Sequence, residues 1–395
     1  MALIKTIKKY FMKFPNSITS KLPKIGTSIF ATMSQMANEH NAINLSQGFP
    51  DFPISKKLIE LVNQYMKKGF NQYAPMPGVI GLRQAIVDKI YDTYKVKYNP
   101  DNEITITAGA TQGIFTAISA LIKEDDEVIV FEPAYDSYVP AIKLNGGIPI
   151  SIKLKEPDYK IDWNEVKKTI NHRTKMIIIN SPHNPTGAVL CEDDMKNLEK
   201  ITNNTDIIIL SDEVYEHIIF DGLRHESVCY HPKLRERSLV LFSFGKTFHA
   251  TGWKMGYCLA PENLMKEFRK AHQFVVFACN TPVQYAIADF LKDKENYLHI
   301  HTFYQEKRDY FINLLKGSKF TPVTSHGTYF QLLNYSKISD EKEMDFATRL
   351  TKEHGVASIP ISVFYNKEVN NKVLRFCFAK SNETLEKAAE KLCKI

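Results

Sequence analysis

Between about residue 100 and residue 260 the chain alternates short, almost wholly apolar runs with longer stretches of helical periodicity. The runs cover residues 104–107, 127–131, 175–180, 206–211, 238–243 and 255–260. Apolar runs of that length, with no polar face, belong to strands covered on both sides. Their alternation with helices predicts βαβ units and a mostly parallel sheet. After Pro282 the rhythm changes. Helical patterns over about 283–316, 341–354 and 382–394 surround three short strand-like stretches at 328–334, 357–363 and 373–379, which predicts a smaller α+β unit. The segment 43–48 precedes the sheet region and is expected to pack with that second unit. The expected fold class is α/β: a mostly parallel central sheet in a large domain over residues 61–294, and a smaller α+β domain assembled from 23–60 and 295–395. Residues 1–22 form a basic extension ahead of both.

Open α/β sheets bind ligands beyond the carboxyl ends of their strands, so the residues that follow each run carry the functional information. The first run is followed by Ala108-Gly-Ala-Thr-Gln-Gly113, which opens a helix, and the second by Glu132-Pro-Ala-Tyr-Asp-Ser-Tyr138. The next two are followed by Asn180-Ser-Pro-His-Asn-Pro-Thr-Gly187 and Asp212-Glu-Val-Tyr215. The run 238–243 ends in Ser243-Phe-Gly-Lys246, with Thr251-Gly-Trp-Lys254 shortly after. Five strand ends thus present polar or aromatic groups to one edge.

Lys246 stands out, because a charged amine at the mouth of a buried strand is costly to keep. A desolvated lysine of lowered pKa can attack an aldehyde and hold it as a Schiff base. Taken alone, it reads more readily as a loop lysine that ends a strand; the convergence of five strand ends reverses that and favours the chemical reading. Gly109, Ala110 and Thr111 offer free N–H groups and a hydroxyl at a helix N-terminus, a setting for phosphate as well as a plain cap. Ser243 and Lys254 add a hydroxyl and a charge to the same anion. A nucleotide P-loop is excluded, since Val240 stands where its first glycine belongs. Tyr135 has an aromatic face for a flat ring. Asp212 either caps the next helix or pairs with a ring nitrogen and keeps it protonated, and Tyr215 and Asn184 are placed to donate to a ring oxygen. His183 reads as structural. Outside the sheet, Gly48 marks a close backbone approach. Arg375, flanked by apolar residues, meets a carboxylate in either an internal salt bridge or a substrate. Tyr73 sits in a Pro/Gly loop able to reach a neighbouring subunit.

Composition narrows the class. A net charge of +7 is spread over 395 residues rather than gathered in a tail, which does not suggest nucleic acid. The six cysteines show neither Cys-x-x-Cys nor metal-ligand spacing and read as free thiols in a reducing compartment. No run reaches transmembrane length, so stable membrane insertion is not expected. The lysine-rich extension lacks a signal-peptide core and reads as disordered or loosely helical, which points to a cytoplasmic protein.

Asn184-Pro-Thr-Gly187, Ser211-Asp-Glu-Val-Tyr215, Ser243-Phe-Gly-Lys246, Thr251-Gly-Trp-Lys254 and Arg375-Phe376, in that order and spacing, resemble the class I/II pyridoxal-phosphate aminotransferases of fold type I. The resemblance runs from about Lys21 to the C-terminus. Leu45-Ser-Gln-Gly-Phe-Pro-Asp51, Asn71-Gln-Tyr-Ala-Pro75, Pro133-Ala-Tyr-Asp-Ser-Tyr138, His272-Gln-Phe274 and Gly355-Val-Ala-Ser-Ile-Pro360 resemble the bacterial methionine aminotransferase branch, which is similar to kynurenine aminotransferase and glutamine transaminase K.

The resemblance implies pyridoxal 5'-phosphate as cofactor, a homodimer with shared active sites, and amino transfer from a methionine-like or aromatic amino acid to a 2-oxo acid. It implies that Lys246 holds the coenzyme and shuttles a proton, that Asp212 holds the ring nitrogen, that Tyr215 and Asn184 address the ring oxygen, and that Tyr135 stacks. Gly109, Ala110, Thr111, Ser243, Lys254 and the partner's Tyr73 would hold the phosphate. Gly48, Asn184 and Arg375 would take the substrate carboxylate. A β-lyase cleaving cysteine conjugates or cystathionine on the same cofactor is the alternative. A catalytically dead binding module would have lost the lysine or the aspartate, and both are present.

Overall fold

Seven strands form the central sheet in the order Ile104–Thr107, Gly256–Leu259, Ser238–Ser243, Ile208–Asp212, Thr174–Asn180, Glu127–Glu132 and Ile148–Lys153. This computed structural model describes residues 16–23 and 25–395. The first fifteen residues of the basic extension, read from sequence as disordered or loosely helical, lie outside the described residues. Every sheet pairing is parallel except the two made by Gly256–Leu259. The other six strands therefore end at one edge.

The six apolar runs all form strands of this sheet, and five of them are buried along their whole length. A seventh strand, Ile148–Lys153, was not predicted. Pro149 breaks its apolar pattern, and proline is tolerated there because the strand lies at the sheet edge. The helix Ala110–Leu121 packs on Glu262–Val275, and Thr281–Leu291 packs on Lys56–Lys67 and Ile80–Tyr94.

A second, antiparallel sheet runs Ile359–Pro360, Val373–Cys377, Phe330–Asn334, Thr321–Pro322. The stretch predicted as one strand over 357–363 is divided. Val356–Ala357 pairs in parallel with Ile43–Asn44, Ile359–Pro360 joins the second sheet, and Ile361–Phe364 turns into a 3₁₀ helix. The segment 43–48 packs as expected, with Leu45 O accepting from Cys377 N at 2.8 Å. The long helical stretch over 283–316 is three helices, Thr281–Leu291, Glu295–Leu298 and Ile300–Leu314.

Close approach of the sheet to the helix Ala110–Leu121 needs one particular glycine. A Cβ at Gly256 would lie 2.5 Å from Phe242 O and 3.2 Å from Ala110 N. Lacking one, the antiparallel strand slides under the helix N-terminus and leaves that N-terminus at the sheet edge.

A buried ion pair underpins the same edge from below. Lys89 Nζ donates to Glu216 Oε1 at 2.6 Å and to Tyr257 Oη at 3.1 Å, and Tyr94 Oη donates to Glu216 Oε2 at 2.6 Å. Burial alone would raise the Glu216 pKa, but Lys89 and His217 reverse that and hold it below the ordinary value. Lys89→Met should cost about 3–5 kcal/mol, because it strands a buried carboxylate. The double variant Lys89→Met/Glu216→Gln should recover part of that loss, as measured by denaturant unfolding.

Candidate active site

The edge where the parallel strands end opens into a cavity lined by Gly109, Ala110, Thr111, Tyr135, Asn184, Asp212, Tyr215, Ser243, Lys246 and Lys254. Asn180, Thr251 and Met255 complete much of its wall. Each side chain arrives at a strand end or in the turn that follows it, so the sheet itself brings together groups more than a hundred residues apart in sequence.

At one end sits the N-terminus of the helix Ala110–Leu121. Gly109 is its N-cap, at a φ of 76° that disfavours side chains. The first-turn N–H groups have no acceptor inside the helix. A Cβ at Gly109 would stand 3.4 Å from Lys254 Nζ, so the ammonium lies directly beside this terminus. Thr111 Oγ1 is 3.3 Å from Tyr135 Oη, and Ser243 borders the same space. Two hydroxyls, an ammonium and a helix N-terminus are a donor set for a dianionic phosphate.

At the other end Asp212 is almost wholly buried. Tyr138 Oη donates to its Oδ2 at 2.5 Å, and Asn180 Nδ2 holds its backbone carbonyl at 2.8 Å. Desolvation pushes the Asp212 pKa up to about 6, although the hydrogen bonds from Tyr138 and the Val214 N–H oppose the shift. No salt bridge reaches it among the described residues. A carboxylate buried in this way suits a cationic N–H.

Lys246 lies between these ends. Its Nζ is 2.6 Å from Tyr329 Oη and 3.3 Å from Gly48 O, and Tyr329 Oη donates to the same carbonyl. Although the side chain borders the cavity, dense surrounding protein lowers its pKa to about 8, with Arg375 and Lys254 adding to the effect and Cys377 and Asp212 opposing it.

Arg375 and Gly48 stand one contact beyond the cavity. Arg375 Nη1 donates to Asn184 Oδ1 at 2.8 Å and Nη2 to Ser46 O at 3.1 Å, while Nε is buried without a partner. The guanidinium stacks 3.9 Å from the Phe330 ring, with Phe30 and Phe364 at 5.3 Å. Among the described residues no carboxylate pairs with it, so an internal salt bridge does not explain its burial. Because Asn184 Oδ1 is occupied, its Nδ2 is left to donate toward the cavity. A Cβ at Gly48 would lie 2.8 Å from Phe330 Cζ, which accounts for the close approach predicted there. Tyr73 is 83% exposed and packs edge-on against Phe277 at 5.2 Å; it does not line the cavity of its own chain. His183 is buried, with Nδ1 2.7 Å from Thr186 Oγ1, and braces the 180–187 turn.

The contacts that Tyr138, Asn180, Tyr329 and Phe330 make with these residues are not legible in the sequence. Tyr138, the last residue of the cluster 132–138, holds Asp212. Tyr329 and Phe330 read in sequence as ordinary strand residues and Asn180 as the opening of a strand-end cluster; only the fold shows what they touch.

An amine of lowered pKa, a buried unpaired acid and a phosphate cradle, arranged along one cavity, fit pyridoxal phosphate and define an enzyme that works on that coenzyme. Residues 40–392 match the family described as aminotransferase class I and II. The chain belongs to this family and is a pyridoxal-phosphate-dependent aminotransferase of fold type I. It is 47% identical to the methionine aminotransferase of Escherichia coli over 94% of this chain and 97% of the relative. A kynurenine–oxoglutarate transaminase of Dictyostelium discoideum is 33% identical over the full length of both. The solved structure of YbdL from Escherichia coli, described as having a methionine aminotransferase function, superposes with a TM-score of 0.95 at 46% identity, covering 96% of this chain and 100% of that one. The β-lyase alternative is not favoured by these relatives. Among the described residues no helix is long and apolar enough to cross a membrane.

Asp212 gives a test of the site through stability. Its raised pKa means the folded, coenzyme-free chain keeps a proton there that the unfolded chain has lost. Stability therefore falls as pH rises from about 4 through about 6, by about 3 kcal/mol in total. Coenzyme-free Asp212→Asn should lose that slope and unfold at higher denaturant than the parent at pH 7.5, yet bind pyridoxal phosphate at least tenfold more weakly. Equal pH dependence in both proteins would contradict the assignment.

Proposed function

We propose that this aminotransferase moves the amino group of methionine, or of another hydrophobic or aromatic amino acid, to a 2-oxo acid. The observation that carries the reading is Arg375: a guanidinium 1% exposed, without a carboxylate partner among the described residues, one hydrogen bond from the cavity. A substrate carboxylate is the counter-charge that this site lacks. The phenylalanines around it suit an apolar side chain, and the names of the similar proteins point the same way.

In this reading the coenzyme, when bound, supplies a protonated ring that takes up the electron pair left at the substrate Cα. Asp212, held by Tyr138, keeps the proton on the ring nitrogen. Tyr215 Oη and Asn184 Nδ2 donate to the ring oxygen, and Tyr135 covers one face. The N–H groups and hydroxyl at Gly109, Ala110 and Thr111, together with Ser243 and Lys254, hold the phosphate. Lys246 Nζ is the attachment point and, once released, the base that carries the Cα proton. Arg375, Asn184 and the Gly48 backbone fix the substrate carboxylate, which orients the Cα–H bond.

We further propose the division into a large domain over 61–294 and a small domain of 23–60 with 295–395. The border near 60 falls inside the helix Lys56–Lys67, which packs on Thr281–Leu291. A cytoplasmic location is supported by six cysteines without a disulfide. A homodimer with shared sites is supported by the cluster of exposed Tyr73, Phe274, Val275 and Phe277. Tyr73 would then reach the phosphate of the partner subunit.

Arg375→Ala should raise the KM for methionine and for the 2-oxo acid about 30- to 100-fold, the worth of a lost charge-assisted pair, while the coenzyme stays bound. An unchanged KM in steady-state assays would refute the role. Phe274→Asp should shift the protein toward monomer in sedimentation velocity and weaken coenzyme retention. A monomeric parent enzyme of full activity would refute the shared site.

A further inference from the structure

The dipeptide Tyr329-Phe330 touches both charged groups of the site. Tyr329 Oη is 2.6 Å from Lys246 Nζ and also bonds Gly48 O, while the Phe330 ring lies 3.9 Å from the Arg375 guanidinium. Two adjacent residues at the start of the strand Phe330–Asn334 face different partners because successive side chains diverge. The turn that aims them is tightly fixed. Thr328 precedes them at a φ of 65°, unusual for a β-branched residue, and is wholly buried. Its N–H donates to Ile218 O at 2.9 Å and its Oγ1 accepts from Phe330 N at 3.2 Å. A Cβ at Gly327 would lie 2.6 Å from Pro182 Cβ and 2.9 Å from Ile218 O, so the turn is pressed against the segments that carry Asn184 and Tyr215.

We infer that Tyr329 is a positioning residue for the amino-transfer step: its hydroxyl, anchored on the Gly48 carbonyl, receives and holds the Lys246 amine whenever that amine is not bonded to the coenzyme. This rests on the assignment of Lys246 above and goes beyond it. The hydroxyl donates to Gly48 O, so its oxygen lone pair is the acceptor for Lys246, and two oxygens fix the direction of one nitrogen. A free lysine on its flexible four-carbon stem would otherwise sample many rotamers and lose effective concentration at the reacting carbon. The carbonyl that anchors Tyr329 belongs to the Gly48 loop, assigned above to the substrate carboxylate. Loop position and base position are therefore joined by one hydrogen bond. Phe330, which contacts the guanidinium but not Lys246, would affect carboxylate binding instead.

The test is the ionisation of Lys246 in coenzyme-free protein, read by trace acetylation with acetic anhydride and mass spectrometry of the Lys246 peptide across pH. Groups that act on this amine are Asp212, Tyr215, Lys254, Arg375, Cys377 and Tyr329 itself. In the parent protein the transition should centre near pH 8. Tyr329→Phe removes an acceptor from the ammonium and should move the transition down by half a unit or more. Tyr329→Gln, which restores an acceptor, should bring it back. In the coenzyme-loaded enzyme Tyr329→Phe should lower kcat at least tenfold with little change in the KM for methionine, whereas Phe330→Leu should mainly raise that KM. If Tyr329→Phe does not fold, Tyr329→Leu carries the same expectation. A titration of Lys246 unchanged by loss of the hydroxyl overturns the inference while leaving the role of Lys246 intact. Transamination retained by Lys246→Ala would instead remove the reading on which it rests.

Discussion

The site depends on ionisable groups held where the surrounding protein strips away most of their hydration. Asp212 is buried with hydrogen bonds but no cation, and Lys246 lies in the same cavity at a pKa lowered to about 8. Neither group is comfortable in the coenzyme-free chain. In the proposed reading each would be relieved by one part of the same small molecule, a ring nitrogen that carries a proton and an aldehyde that takes up a neutral amine. The fold thus carries an unfavourable desolvation term that coenzyme binding would remove, which would let a reactive lysine and a buried carboxyl persist together.

The sheet accounts for how these groups meet. Parallel strands deliver their following loops to one edge, and the single antiparallel strand, Gly256–Leu259, lets the chain return between the first strand and the strand bearing Ser243. Gly256 allows that strand to pass beneath the helix N-terminus, so Gly109–Thr111 and Lys254 converge at one end of the cavity. The second sheet contributes from another direction. Val373–Cys377 brings Arg375, and its neighbour Phe330–Asn334 brings the aromatic ring that stacks on the guanidinium. In the proposed reading coenzyme chemistry belongs to the first sheet, and carboxylate recognition to the junction between the two.

Much of this was legible in the sequence because buried parallel strands are written as apolar runs and their ends as polar clusters. Lys246, Asp212 and the Gly109–Thr111 turn stood out by their convergence at the strand ends, since each alone also reads as a loop lysine or a helix cap. The edge strand Ile148–Lys153 was not legible, since an edge tolerates the proline that a central strand does not. The split of the predicted strand over 357–363 depends on pairing with two different sheets, a long-range fact that local pattern does not hold. The hydrogen-bonding roles of Tyr138 and Tyr329 were hidden for a different reason: an aromatic residue beside a strand reads as core or wall, and here it is also a hydrogen-bond partner. Their hydroxyl groups matter only because the fold points one at Asp212 and the other at Lys246.

The central claim is that the amine at position 246 is the one joined to the coenzyme. Borohydride reduction of the coenzyme-loaded enzyme, followed by proteolysis and mass spectrometry, tests it directly. The account predicts a single pyridoxyl-phosphate adduct, on the peptide that carries Lys246. An adduct confined to Lys254 or to any other lysine, with Lys246 unmodified, would contradict it.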